Sequence, residues 1–334
     1  MTRMDKPRIG LLGTGPWAER THAPALAAHS GIEFSGVWGR RPEAAAALAT
    51  AHGTAAHSGE AGLDVLFAAS DAIAFALPPD VQAPLAARAA AAGCHLIMDK
   101  PVATTVAGAR AVADAAALAG VESVVFCTLR FAPETARWVA EQADRGGWFT
   151  AHAQWLGGLF SPGSDSPFAD SPWRREKGGL WDVGPHALSA LIPLLGDVTD
   201  VLAARVEPDL THLVLRHVSG AASTAALSLS APHASAGTAL ELRGEHGTAT
   251  LPQNWGDPVD SFTAAVDALL EAMRTGQPHA CDVRFGLRLT EILAAAEAQL
   301  TAGTRGAAGT RGAAGAPGVG APGVGEEPER KPVG

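Results

Sequence analysis

Between residues 8 and 127 short apolar runs alternate with longer alanine-containing stretches, and a glycine turn follows the first run. No other feature narrows the possible folds as much. Strands are expected at 8–13, 33–38, 71–76, 95–98 and 123–127. Helices are expected up to His29, over 42–52, after Asp80 and over 104–119. Pro42 falls in a first helical turn, where a missing N–H is tolerated. Strand and helix in alternation, joined by short connections, predict a parallel doubly wound α/β sheet.

After Cys127 the rhythm changes. A helix over 133–144 leads to a strand at 148–156, then to a loop rich in Ser, Pro and Asp over 161–172. A helix starting at Asp182 is expected to run to Leu195. Strands follow at 198–206, 212–217, 225–229, 239–243 and 248–251, the last two joined by a turn at 244–247. Strands in succession without helices between them predict a second, mostly antiparallel sheet. Helices over 259–274 and 284–302 complete the folded part. Residues 303–334 repeat Gly-Thr-Arg-Gly-Ala-Ala and Gly-Ala-Pro-Gly-Val, which cannot bury enough apolar surface to offset ordering entropy; disorder is expected there. The expected division is 1–127, 128–302 and a tail at 303–334.

At 334 residues and 47% hydrophobic content the chain can build two cores. Its formal charge of −9 and lack of a basic stripe argue against a nucleic-acid partner and against an anionic membrane surface. Cys94, Cys127 and Cys281 form no C-x-x-C pair, so reduced, buried thiols in a cytoplasmic protein are expected. The apolar run at 9–12 is too short for a signal-peptide core, and no apolar segment reaches the roughly 20 residues of a membrane span.

Gly13-Thr14-Gly15-Pro16-Trp17-Ala18 has the form G-x-G-x-x-A directly after a strand. Gly13 and Gly15 permit a tight turn and a close approach of backbone N–H groups to a pyrophosphate, with Pro16 and Trp17 at the start of the following helix. The second strand ends in Arg40-Arg41, where NAD-selective folds place an acid for the ribose 2′-OH. Arginine suits a 2′-phosphate, so NADP is the expected cofactor and NAD the alternative. A solvated arginine pair is the plainer reading.

Lys100 closes the strand at 95–98, at the sheet edge where such folds bind ligands. Its cation there would stabilise an alkoxide; a surface lysine at a strand end is the plainer reading. Asp182 and His186, four residues apart in Gly178–His186, would share one helix face. A helix N-terminus favours the neutral imidazole, which can act as a general base with Asp182 orienting it. Alternatively Asp182 is an N-cap and His186 a packing residue. A zinc site finds no third ligand at a recognisable spacing, so no metal is expected. His22, His29, His52, His152 and His212 have no partner pattern and are expected on surfaces.

Together these segments resemble the Gfo/Idh/MocA family over roughly residues 8–302. The resemblance rests on the glycine turn, on Leu77-Pro78-Pro79-Asp80-Val81-Gln82-Ala83-Pro84, on Ala92–His95 leading to Asp99-Lys100-Pro101, and on Gly178–His186. Asp99 stands where the family usually has glutamate, and Gln82 where it usually has histidine. The chain has no tyrosine, which excludes a tyrosine acid. The resemblance implies a Rossmann domain and a second α/β domain whose large open sheet supports a homodimer or homotetramer. It implies hydride transfer between a nicotinamide cofactor and a sugar, polyol or related cyclic alcohol or ketone. Lys100, Asp182 and His186 would carry the proton chemistry. Leu77, Pro78, Gln82, Asp99 and Lys100 would join the cofactor set, and Arg130, Trp173 and Arg174 would face the substrate or the domain interface. A catalytically silent NAD(P)-binding sensor is the rival, and transient use of the cofactor for elimination or hydrolysis a third reading.

Overall fold

A computed structural model describes residues 6–311 of the chain. Six strands form the first sheet: β1 (Arg8–Leu12), β2 (Glu33–Trp38), β3 (Ala56–His57), β4 (Ala72–Phe75), β5 (His95–Asp99) and β6 (Ser123–Phe126), in the order β3-β2-β1-β4-β5-β6. All neighbours are parallel. β4 and β6 are buried along their whole length, as parallel strands covered on both faces must be. The strand order reverses between β1 and β4, so a crevice opens at the carboxyl ends of β1, β4 and β5. The expected doubly wound sheet is present. The short β3 and the helix Gly59–Ala68 are additional: a two-residue strand carries too few positions to register as an apolar run.

The second sheet contains β7 (Trp148–Leu156), β8 (Val198–Val206), β9 (Leu210–His217), β10 (Ala222–Ser228), β11 (Gly237–Gly244) and β12 (Gly247–Thr250), in the order β12-β11-β7-β10-β9-β8. Only β7 and β10 run parallel; the sheet is otherwise antiparallel. β9 alternates buried and exposed residues, so one face is covered and the other is open. Phe149, Leu202, Val206 and Val214 lie exposed on these strands.

A continuous apolar core runs from Phe75 and Met98 of the first sheet through Leu180, Trp181 and Leu191 to Leu213, Leu215 and Leu240 of the second. A separate cluster covers the other face of the first sheet. There Phe262, Val266 and Leu269 of the helix Pro258–Thr275 pack with Ile9, Leu11 and Ile97. A helix late in the chain thus completes the first sheet. The last helix, Val283–Arg311, continues nine residues past the expected boundary at 302; the rest of the expected disordered tail lies outside the described residues. Among the described residues no helix is long and apolar enough to cross a membrane.

Candidate active site

Lys100 directly follows β5 and is carried by a backbone that one buried side chain holds. Gln82 is 0% exposed. Its Nε2 donates to Asp99 O at 2.8 Å and to Pro101 O and Val102 O at 3.3 Å each, while its Oε1 accepts from Asp99 N at 3.0 Å. The sequence reading places Gln82 in the cofactor set; its amide is instead turned to the backbone. Its amide is fully engaged in fixing the path of residues 99–102. The Asp99 carboxylate accepts the Lys100 backbone N–H at 2.7 Å.

The second segment departs from its sequence reading in one respect. No single helix runs from Asp182 to Leu195. The helix Pro172–Asp182 ends there, and a new one, Gly184–Leu195, begins with Pro185 in its first turn. Proline has no N–H to continue the earlier helix but suits the start of the next. Asp182 is thus a C-terminal residue and caps nothing, while His186 lies in the first turn of the following helix.

The helix Pro172–Asp182 is itself kinked at Gly178, and two glycines and a buried aspartate fix that kink ahead of the break. Gly178 has φ +63, and a Cβ on Gly179 would come within 2.7 Å of the Ser228 backbone. Asp209 accepts the Gly179 N–H at 2.9 Å and the Leu229 N–H at 2.6 Å, pinning the segment to the end of β10. Asp209 is 8% exposed and lies 27 positions after Asp182 in the chain, so nothing local in the sequence marks it.

The two segments meet. Lys100 Nζ donates to Asp182 Oδ1 at 3.0 Å and to Asp182 O at 2.6 Å. Arg174 Nε lies 3.2 Å from Asp182 Oδ2, so both oxygens of one carboxylate face cations. Burial pushes the Asp182 carboxyl up, but Lys100 and Arg174 outweigh it and hold it at about 2. Burial, with Lys100 adding to it, depresses His186 to about 3, so its imidazole is neutral near pH 7. Its Nδ1 is buried with no hydrogen-bond partner. Burial raises Asp99 to about 6. Lys100, Asp99, Arg174, Asp182 and His186 all line one cavity of about 270 Å³, with Trp17 at the glycine-turn side. Thr128, Leu159, Phe168 and Leu229 complete its wall; the sequence reading missed these four, three of them apolar residues with no chemical signature.

The glycine turn fits a dinucleotide. Gly13 has φ +130, and a Cβ there would come within 2.3 Å of Ala76 O. A Cβ on Gly15 would meet nothing within 4 Å, so open space fronts the turn where a pyrophosphate would lie. Pro16 follows it half-buried. Leu77 and Pro78 follow β4, Pro78 just ahead of the helix Pro79–Ala91. Arg40 and Arg41 are exposed at the end of β2, with no acidic partner among the described residues.

Two substrate candidates lie elsewhere. Arg130 donates from Nη1 to Ser189 O at 3.0 Å, bracing the helix that carries His186, and does not line the cavity. Trp173 packs on the core beneath the Arg174 guanidinium, 4.6 Å from ring centre to Cζ. His22, expected on the surface, is 0% exposed behind the glycine turn and packs on Phe262 with ring centres 4.0 Å apart.

Residues 7–126 match the Gfo/Idh/MocA family, described as an oxidoreductase family with an NAD-binding Rossmann fold. Among the solved structures with a similar fold are the following three. GenD2 of gentamicin A biosynthesis, in complex with NAD, is 20% identical, with 91% of this chain and 96% of that one covered and a TM-score of 0.76. An oxidoreductase domain protein of Kribbella flavida is 23% identical, with 90% and 98% covered and a TM-score of 0.76. The WlbA dehydrogenase of Bordetella pertussis, in complex with NADH and UDP-GlcNAcA, is 22% identical, with 89% and 97% covered and a TM-score of 0.75. No curated protein matches the sequence.

Proposed function

We propose that the protein is a nicotinamide-dependent oxidoreductase that interconverts an alcohol and a ketone on a sugar, polyol or related cyclic compound. The observation that carries this reading is the Lys100 ammonium. It has three N–H groups, two of them engaged by Asp182. The third is left for an oxygen in the cavity, beside a neutral imidazole. When bound, the cofactor supplies or accepts the hydride.

The chain's own residues manage the proton. Lys100 stabilises negative charge growing on the substrate oxygen. His186 is neutral and takes the hydroxyl proton during oxidation, returning it during reduction. Asp182 holds Lys100 in place. A catalytically silent sensor would have no need of a cation held within 3.0 Å of a buried carboxylate and beside a neutral histidine.

Residues 1–127 would hold the cofactor, with the helix Pro258–Thr275 covering the sheet, and 128–302 the substrate. Arg40 and Arg41 favour NADP over NAD through a 2′-phosphate. The open apolar face of the second sheet supports a homodimer or homotetramer, and the buried, unpaired thiols of Cys94, Cys127 and Cys281 support a cytoplasmic setting. A panel of polyols and keto-sugars, followed by NADPH or NADH absorbance, tests the reaction. Turnover with a higher kcat/KM for NADP(H), reversed in Arg40→Glu/Arg41→Ser, is expected. Tight cofactor binding with no turnover of any carbonyl or alcohol would overturn the enzyme reading.

A further inference from the structure

The cavity contains a cation whose hydrogen-bonding capacity the chain barely uses. A guanidinium has five N–H donors. Among the described residues, Arg174 makes one hydrogen bond, from Nη1 to Ser171 Oγ at a long 3.4 Å, besides its ion pair with Asp182. Its side chain is only 22% exposed, so bulk water does not fully serve the remaining donors. The group is also held. Phe168 and Trp173 lie 5.1 and 4.6 Å from its Cζ, which favours a fixed, flat cation. Holding a solvated arginine needs no such clamp; presenting its edge to a ligand does.

The surrounding charges point the same way. Asp182 is shared between Lys100 and Arg174, so one carboxylate serves two cations. Asp99, the other carboxyl on the wall, accepts the Lys100 backbone N–H. Among the described residues no second carboxylate lies within ion-pair distance of Arg174. A neutral polyol hydroxyl would leave most of the guanidinium unmatched, whereas a carboxylate accepts two parallel N–H groups at once. Leu159 and Leu229 on the wall lower the local polarity and strengthen such a pair. The volume of about 270 Å³ suits one small ring or a short chain.

We propose that the substrate carries a carboxylate a few bonds from the reacting carbon, and that Arg174 binds it. This rests on the oxidoreductase reading for the chemistry, but its test reads binding and does not depend on turnover. Calorimetric titration of the NADPH-loaded protein compares D-glucuronate with D-glucose and D-galacturonate with D-galactose. The acid should bind about thirtyfold tighter than its neutral partner, as expected for hydrogen bonds to a charged group. In Arg174→Gln the ratio should fall to near unity. Arg174→Lys, which keeps the charge beside Asp182 but loses the fork, should give an intermediate ratio, and it serves if the glutamine variant does not fold. Equal affinities in the wild-type protein, uronates that fail to bind, or a ratio unchanged in both variants would overturn the proposal. An intact ratio with no reduction or oxidation of either sugar supports the anchor and counts against hydride transfer alone.

Discussion

The two walls of the cavity are built in opposite ways. Lys100 stands on a regular element: a parallel strand between β4 and β6 leads to it, and one buried glutamine fixes the turn that follows. Asp182 and His186 stand on an irregular one. They flank a break between two helices made by Pro185, and the segment ahead of it is held because Gly179 lies against the Ser228 backbone and Asp209 ties it to β10. A regular element places a side chain through its period, and a bend places one through long-range contacts. The Lys100 wall should therefore tolerate nearby substitution better than the other, except at the lysine itself.

Replacing Lys100 should give the largest loss. Lys100→Ala removes the cation that faces the substrate oxygen, and kcat should fall by about a thousandfold, within the range for proton-handling groups. It also leaves Asp182, whose side chain is 11% exposed, with Arg174 as its remaining cation. The loss of one partner from a buried pair should cost about 3 kcal/mol in urea denaturation. NADPH affinity, read by fluorescence titration, should change little. The opposite wall is tested next by Gly179→Ala. Its Cβ has no room against backbone, so the bend must shift, and a displacement near 1 Å at Asp182 and His186 should lower kcat by about a hundredfold. Full activity in that variant would remove the contrast between the walls.

Two buried side chains, one behind each wall, should then differ in kind. Asp209→Asn retains one carbonyl acceptor for two N–H groups, so one buried donor is left unpaired, at about 1–3 kcal/mol. Gln82→Leu strips four backbone contacts from residues 99–102 at a similar cost in stability. The regular strand beneath Lys100 remains, so kcat should drop less in Gln82→Leu than in Asp209→Asn. Thermal melts paired with initial rates measure both quantities. The reverse order would show that the strand end, and not the helix break, is the more delicate support.

The same contrast explains what could be read from the sequence. The first sheet and the lysine at its edge follow from apolar runs and a glycine turn, which are local signals. Asp182, His186 and Arg174 were identifiable as chemically active types near a glycine pair. Their mutual placement was not, because Pro185 breaks the helix that i, i+4 spacing implies. Gln82 reads in the sequence as a polar residue beside a ligand pocket, and only the packing shows its amide turned to the backbone. Arg130 misleads similarly, since its partner is the carbonyl of Ser189, 59 positions away. Asp209 and the apolar wall residues Leu159, Phe168 and Leu229 give no local signal, Asp209 being brought in by the pairing of β9 with β10 and the others by the pairing of β7 with β10 and the loop after β7.

The smallest effect on kcat is expected at His22, one of two strongly depressed histidines, one in each region, that make stability depend on pH. His22 behind the first sheet and His186 at the cavity are both depressed to about 3, chiefly by burial. In the unfolded chain each titrates near 6.5. Below that value the unfolded state binds protons that the folded state refuses, so stability falls with acidification from about pH 6.5 towards 3. Each histidine should cost about 2 kcal/mol by pH 5. Asp99 acts in the opposite sense: its carboxyl is raised to about 6, so the folded state binds the proton more readily, and this stability is present at low pH and lost as pH rises from about 4 to 6. These two histidines outweigh the carboxyl, and His95, His217 and His279, also lowered by burial, act in the same direction, so unfolding free energy should decrease between pH 7 and 5. His22→Phe, which keeps an aromatic ring against Phe262, should remove about 2 kcal/mol of the loss at pH 5 without altering the pH profile of kcat. His186→Gln should reduce the slope by a similar amount and also abolish most turnover. Equal effects of the two variants on the kcat profile would place His22 in communication with the site and erase the distinction between the two regions.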